Sequence, residues 1–150
     1  MENIIKLLIF ITVLNVSAQE LLLNESTNFY EFSKIVETND RKIQEKFTQR
    51  FKQINLENIE NNENSINGKG FTNHLVGGFA TVEIHYSVKI DFKEGKYRLT
   101  ITNFKLTDKN GSNPLEGMRS FKKKWIKKIN KKLPEIITNI EKVDEKLDKW

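Results

Sequence analysis

Between Ala80 and Phe92, apolar and polar residues alternate without a break: Ala80, Val82, Ile84, Tyr86, Val88, Ile90 and Phe92 stand against Thr81, Glu83, His85, Ser87, Lys89 and Asp91. Successive side chains of an extended chain point to opposite faces, so this run is a long strand with one buried and one solvated face. Glu94-Gly95 then turns the chain, and Tyr97, Leu99 and Ile101 resume the alternation against Arg98, Thr100 and Thr102. A two-residue loop sets Phe92 opposite Tyr97, Ile90 opposite Leu99 and Val88 opposite Ile101. All three apolar pairs then share a face, which fixes the register. The same register sets Asp91 opposite Arg98 on the polar face, an exposed pairing of little energetic weight. A half-buried antiparallel hairpin of this length needs a cover for its apolar face.

The cover is legible upstream. Ile43, Phe47, Phe51 and Ile54 recur at helical spacing, with Arg41, Lys42, Glu45, Lys46, Gln49 and Arg50 on the other face. Thr38-Asn39-Asp40 supplies capping chemistry, so the pattern predicts an amphipathic helix over 39–54. Phe29 to Val36 is aromatic and β-branched and reads as a strand, preceded by a lead-in in which Leu21 to Leu23 adds an edge strand. Asn55 to Asn64 reads as a short strand and turn. Ser65 to Phe71 is a strand punctuated by Gly68 and Gly70, which mark a bulge or a close backbone approach. Gly77-Gly78 is a turn. Residues 105–117 hold Asn110-Gly111, Asn113-Pro114 and Gly117 and read as a linker. The fold class is therefore α+β: an antiparallel sheet of four to five strands packed against a helix.

Three features of the segment from Phe29 to about Phe104 resemble a domain family of unknown function from exported bacterial proteins. They are the strand and helix Phe29-Tyr30, Ile43, Phe47 and Phe51; the run Ile66-Asn67-Gly68-Lys69-Gly70; and the hairpin end Glu94-Gly95-Lys96-Tyr97-Arg98-Leu99-Thr100. The resemblance implies a TBP-like fold, a curved antiparallel sheet backed by helix, over residues 19–104. It carries no catalytic residues, and the C-terminal region lies outside it. This chain lacks the tryptophan that members often carry on the first helix.

The first eighteen residues stand apart from this domain. A nearly unbroken apolar run, Leu7 to Leu14, leads to Val16-Ser17-Ala18 before Gln19. A short apolar core followed by small residues is the pattern of a cleaved secretory signal, and it is shorter than the ~20 residues that span a bilayer. Residues 1–18 are expected to be removed, and the protein to be periplasmic or secreted. The chain has no cysteine. That excludes a disulfide framework, a thiol nucleophile, a Cys-based zinc or iron–sulfur site, and a lipid anchor on a cysteine after the cleavage site.

From Met118 onward the sequence is helical. Met118, Phe121, Trp125, Ile129, Leu133, Ile136, Ile140, Val143, Leu147 and Trp150 stay in phase through Pro134, with no glycine stop or polar cap around the proline. The expectation is a near-continuous helix from about 115 to 149, kinked at Pro134 and about 50 Å long. Its first half is the most distinctive charge feature of the chain: Arg119, Lys122, Lys123, Lys124, Lys127, Lys128, Lys131 and Lys132, with no acid among them. Lysine, asparagine and isoleucine, which share A/T-rich codons, are all frequent here, so lysine content alone says little about a partner. A basic helix with a tryptophan suits an anionic membrane surface, an acidic polymer or an acidic envelope protein, and Arg119, Lys122, Lys123, Trp125, Lys127 and Lys128 are the candidate binding residues. The plainer alternative is a helix docked on the domain by its apolar stripe, with lysines at the margins. Nucleic acid is a poor partner for an exported protein.

Catalytic motifs are sparse. There is no Gly-x-Ser-x-Gly, no phosphate-binding Gly-x-x-x-x-Gly-Lys and no Asp-x-Asp-x-Asp-Gly loop. The chain carries no metal or cofactor signature. His85 lies between Glu83 and Ser87 on the polar row of the long strand, an arrangement that suits either acid–base chemistry in a small hydrolase or an ordinary solvated strand face. The sequence as a whole reads as a non-catalytic exported binding or envelope-associated domain, with the hydrolase as the alternative.

Overall fold

The computed structural model describes residues 19–143. The expected signal (1–18) and the last turns of the expected C-terminal helix (144–149) lie outside the described residues. Nine elements follow in order: β1 (Leu22–Asn24), β2 (Phe29–Glu37), α1 (Ile43–Gln53), β3 (Glu57–Asn62), β4 (Ser65–Val76), β5 (Ala80–Lys93), β6 (Lys96–Asp108), β7 (Gly111–Pro114) and α2 (Lys122–Glu141). The strands form one seven-stranded sheet in the order β1-β2-β6-β5-β4-β3, with β7 also on β6. Every pairing is antiparallel.

The fold is α+β as expected, but the sheet has more strands than the four or five read from the pattern. The edge strand read at Leu21 to Leu23 is present as β1 (Leu22–Asn24), and the strand that the pattern does not show is β7, whose four residues Gly-Ser-Asn-Pro are too short for a period and include no large apolar side chain.

The central hairpin takes the expected register, with Phe92 opposite Tyr97, Ile90 opposite Leu99, Val88 opposite Ile101 and Asp91 opposite Arg98. Ile84, Ile90, Leu99 and Ile101 are fully buried, while Lys89 is exposed. On the polar face Asp91 accepts an ion pair from Lys89 at 2.7 Å.

Past Ile101 the strand changes parity. The inward residues run Tyr97, Leu99, Ile101 and then Phe104, Leu106. A bulge between the His85 and Ser87 pairings absorbs the extra residue, with Asn103 in the left-handed region at φ 56°. Asparagine tolerates that conformation better than most residues. The chain then stays in the sheet through Asp108, turns at Lys109-Asn110, and returns as β7 with Gly111 opposite Asp108. Residues 105–117 are thus sheet and core rather than a linker. Leu115 is fully buried, and its N–H donates to the Phe104 carbonyl at 2.9 Å.

α1 begins later than expected, because Asp40 makes a turn first. Its Oδ1 accepts from the Lys42 N–H at 2.9 Å and its carbonyl from the Ile43 N–H at 3.2 Å. Joining β2 to β3 on the far edge, α1 sends Phe47 and Phe51 into the core. Phe47 meets Tyr97 edge-on at 5.0 Å between ring centroids. Gly68 and Gly70 mark a close approach. A Cβ on Gly70 would lie 2.8 Å from Leu56 and 2.9 Å from the Tyr86 ring.

α2 corrects two expectations. It spans 122–141 among the described residues, about 30 Å at 1.5 Å per residue, starting seven residues later than the pattern suggested. It also belongs to the same core. Ile129, Leu133, Ile136, Ile137 and Ile140 are buried in one cluster with the sheet and α1. Residues 118–143 are therefore not a separate helical region. The helix does run unbroken through Pro134. Its first turn departs from the stripe, because Phe121 adopts a left-handed conformation (φ 66°) at the N-cap and is 69% exposed.

Candidate functional site: the cationic helix and the sheet around it

The docked stripe fixes which way the cations of α2 point. Lys123, Lys124, Lys127 and Lys131 are exposed, as is Arg119 in the preceding turn, while Lys122, Lys128 and Lys132 are half-buried. Lys132 pairs with Glu135 at 3.2 Å. Among the described residues, no carboxylate lies within ion-pair distance of Arg119, Lys122, Lys123, Lys127 or Lys131.

The six candidate residues do not form a single patch. Lys123 and Lys127, with Lys131 a further turn along, line one wall of a groove of about 1150 Å³ between α2 and the β1–β2 edge. Its floor includes Leu22, Phe32, Ile126 and Pro134, and Glu20, Glu31 and Lys34 face the lysine row. Trp125 and Lys128 lie on the other side, toward β4. The Trp125 ring meets His74 at 5.8 Å between centroids, and the Lys128 ammonium sits 4.4 Å over the Trp125 ring. Burial lowers the Lys128 pKa, and Lys124 adds to this. Burial also lowers that of His74, with Lys128 and Lys132 adding to the effect. Trp125 is thus held between a strand histidine and a lysine.

Both ends of the groove are tied to the sheet. Asn130 Oδ1 accepts from the Leu21 N–H at 2.9 Å. At the C-terminal end Lys34 reaches Glu141 at 2.6 Å and the Tyr97 hydroxyl donates to the same carboxylate at 2.9 Å.

The His85 row lies on the opposite, uncovered face of the sheet, beside a depression of about 400 Å³ that Lys69, Phe71 and Lys105 also line. His85 Nε2 and Glu83 Oε2 are 2.9 Å apart, with 40% and 44% of their side chains exposed. The Phe71 ring lies 5.6 Å from the imidazole. The Ser87 hydroxyl accepts from Asn103 Nδ2 at 3.3 Å, and no bond joins it to His85. The row therefore pairs a histidine with a carboxylate but does not connect it to the nucleophile that the hydrolase alternative requires. No group of three or more His, Asp or Glu residues among the described residues is placed to hold a metal.

The sequence reading missed the exposed apolar side chains at the α2 end of the β4–β5 hairpin. Phe79 is 99% exposed and Leu75 61%. The signal was present, since an aromatic immediately after Gly77-Gly78 sits on a turn, where no strand face exists to bury it.

This architecture is shared with solved structures. A DUF4468 family protein from Bacteroides ovatus ATCC 8483 superposes with a TM-score of 0.63 at 13% identity, over 83% of this chain and 89% of that one. A TBP-like protein from Parabacteroides distasonis ATCC 8503 superposes with a TM-score of 0.51 at 14% identity, over 77% of this chain and 95% of that one. The resemblance to an uncharacterised domain family of TBP-like fold thus holds at the level of the fold. No protein-family model matches the chain, and no curated protein is similar to it.

Proposed function

We propose that this chain is a non-catalytic exported binding domain that presents the outer face of α2 to an anionic partner in the cell envelope. The observation that carries this reading is the row Lys123, Lys127 and Lys131, held outward and without carboxylate partners among the described residues on a helix whose apolar side is taken up by the sheet. Cations with no carboxylate within ion-pair distance attract an anionic surface at long range and bind it in a salt-dependent way. The apolar run and small residues of positions 1–18 support export, and export disfavours nucleic acid as the anion.

The test is retention on phosphocellulose at low salt, compared between two variants of equal net charge. Lys123→Glu/Lys127→Glu should lose retention, while Lys93→Glu/Lys96→Glu, at the β5–β6 turn, should keep most of it. Equal losses would mean that net charge alone is responsible and would sink the assignment to α2. Export is tested separately, since protein recovered from the native host should begin at Gln19.

A further inference from the structure

The docking of α2 closes one route to a membrane. A helix that lies on lipid does so by its apolar stripe, and here Ile129, Leu133, Ile136 and Ile140 of that stripe are already in the core. Apolar side chains stay exposed elsewhere: Leu22 and Ile35 on β1 and β2, Phe71 on β4, and a pair at the end of the molecule where the β4–β5 turn meets the first turn of α2.

Two aromatic side chains stand in solvent there, Phe79 at 99% exposure and Phe121 at 69%. The contact between His74, three residues before the Gly77-Gly78 turn, and Trp125, one helical turn from Phe121, brings the hairpin and the helix start together. Gly77 and Gly78 hold the turn at φ of +61° and +79°, and nothing lies within 4 Å of where their Cβ atoms would be, so the tip projects freely. The rim is cationic. Arg119, Lys123 and Lys124 are exposed around the helix start, and Lys124 lies 5.9 Å over the Phe121 ring.

We infer that this end is a membrane-insertion tip, with Phe79 and Phe121 entering the headgroup–acyl boundary of a bilayer rich in anionic lipid while the surrounding cations bind the headgroups. The inference rests on the anionic-partner reading above and names that partner as a lipid surface. Separate apolar projections on a turn and a helix cap, ringed by cations, suit a soft interface that fills in around them. A protein partner would need a contiguous complementary face. Aromatic side chains also favour the membrane–water boundary.

The experiment is co-sedimentation of the mature chain, beginning at Gln19, with vesicles of phosphatidylglycerol and phosphatidylcholine, or of phosphatidylcholine alone, at low salt. Wild type should sediment with the anionic vesicles only. Phe79→Ser should weaken partitioning about tenfold, the effect of removing one buried aromatic, with an unchanged melting temperature because the residue touches no core. Binding of Phe79→Ser equal to wild type, with loss on Lys123→Glu/Lys127→Glu, would overturn insertion and leave the anionic-partner reading standing. Retention on phosphocellulose without sedimentation on anionic vesicles would have the same meaning. Self-association that needs Phe79 and occurs without vesicle binding would overturn the lipid assignment in favour of a contact between copies. Failure on both phosphocellulose and vesicles would overturn both readings.

Discussion

Tyr97, on the central strand β6, donates its hydroxyl to Glu141, in the last turn of α2, at 2.9 Å, and the other oxygen of that carboxylate receives Lys34 from β2 at 2.6 Å. One side chain thereby joins the final helix to two neighbouring strands. Burial, and then the Glu141 carboxylate, push the Tyr97 phenol well above its ordinary pKa, so it remains a donor throughout the neutral range. Glu141→Ala leaves a phenol and an ammonium without their acceptor. The expected loss is about 1–2 kcal/mol in urea unfolding, with Glu141→Gln losing less because it still accepts from Tyr97. A loss under about 0.3 kcal/mol for the alanine variant would show that the clamp is solvent-exchanged and adds nothing.

Gly70 tests the packing of β4 against its neighbours. Its missing Cβ is what lets Leu56 and the Tyr86 ring close over the strand. Gly70→Ala should cost about 1–3 kcal/mol by overpacking, and Leu56→Ala in the same chain should recover part of that, since it vacates the nearer contact. Additive losses in the double variant would show that the strand backbone shifts rather than the side chains.

The parity change in β6 makes a prediction about Asn103. At φ 56° a β-branched residue is strained, so Asn103→Val should lose about 1–3 kcal/mol while Asn103→Gly stays near wild type. Equal losses for both would place the cost in the bond to Ser87 rather than in the backbone.

His74 gives the fold a pH dependence whose sign follows from its surroundings. Burial against Trp125, with Lys128 and Lys132 nearby, holds its pKa below the ordinary 6.5. The folded state therefore resists a proton that the unfolded chain accepts. Stability is complete above the unfolded pKa and falls as pH drops through it toward the folded value. Melting temperature should decline from pH 7.5 to 5.5 in wild type and decline less in His74→Asn. Identical slopes would mean that the histidine titrates as it does in the unfolded chain.

The core of the central hairpin was readable because period two and helical spacing are strong signals over long segments. Ile90, fully buried opposite Leu99, is where they predict it. Ile90→Ala should cost about 2–5 kcal/mol. The reading failed where the signal depends on one residue. Asn103 interrupts the alternation, so a strand that continues to Asp108 looks finished. The turn residues that follow resemble a linker, although Gly111 and Asn113 are pairing in β7. At the other end, a stripe that continues in phase through Phe121 hides the fact that the helix starts one residue later. For the candidate site, the lysine row was evident in the sequence, but its division between a groove and a histidine-facing side depends on which stripe residues dock. Only the packing decides that.

The bond from Leu21 to Asn130 and that from Lys34 to Glu141 each join positions more than 100 residues apart. The three strands β4, β5 and β6, by contrast, pair through successive short turns. Local pairings close early and distant ones late, because the loops they span cost entropy before any contact is made. A chain delivered N-terminus first across a membrane would hold β2 with only the three-residue β1 beside it until β6 emerges, and would leave much of the sheet's apolar face open until the last turns of α2 arrive. For that interval such a chain would be an incomplete layer with an exposed core, and on the proposed export route escorting it would fall to the export machinery or to chaperones beyond the membrane.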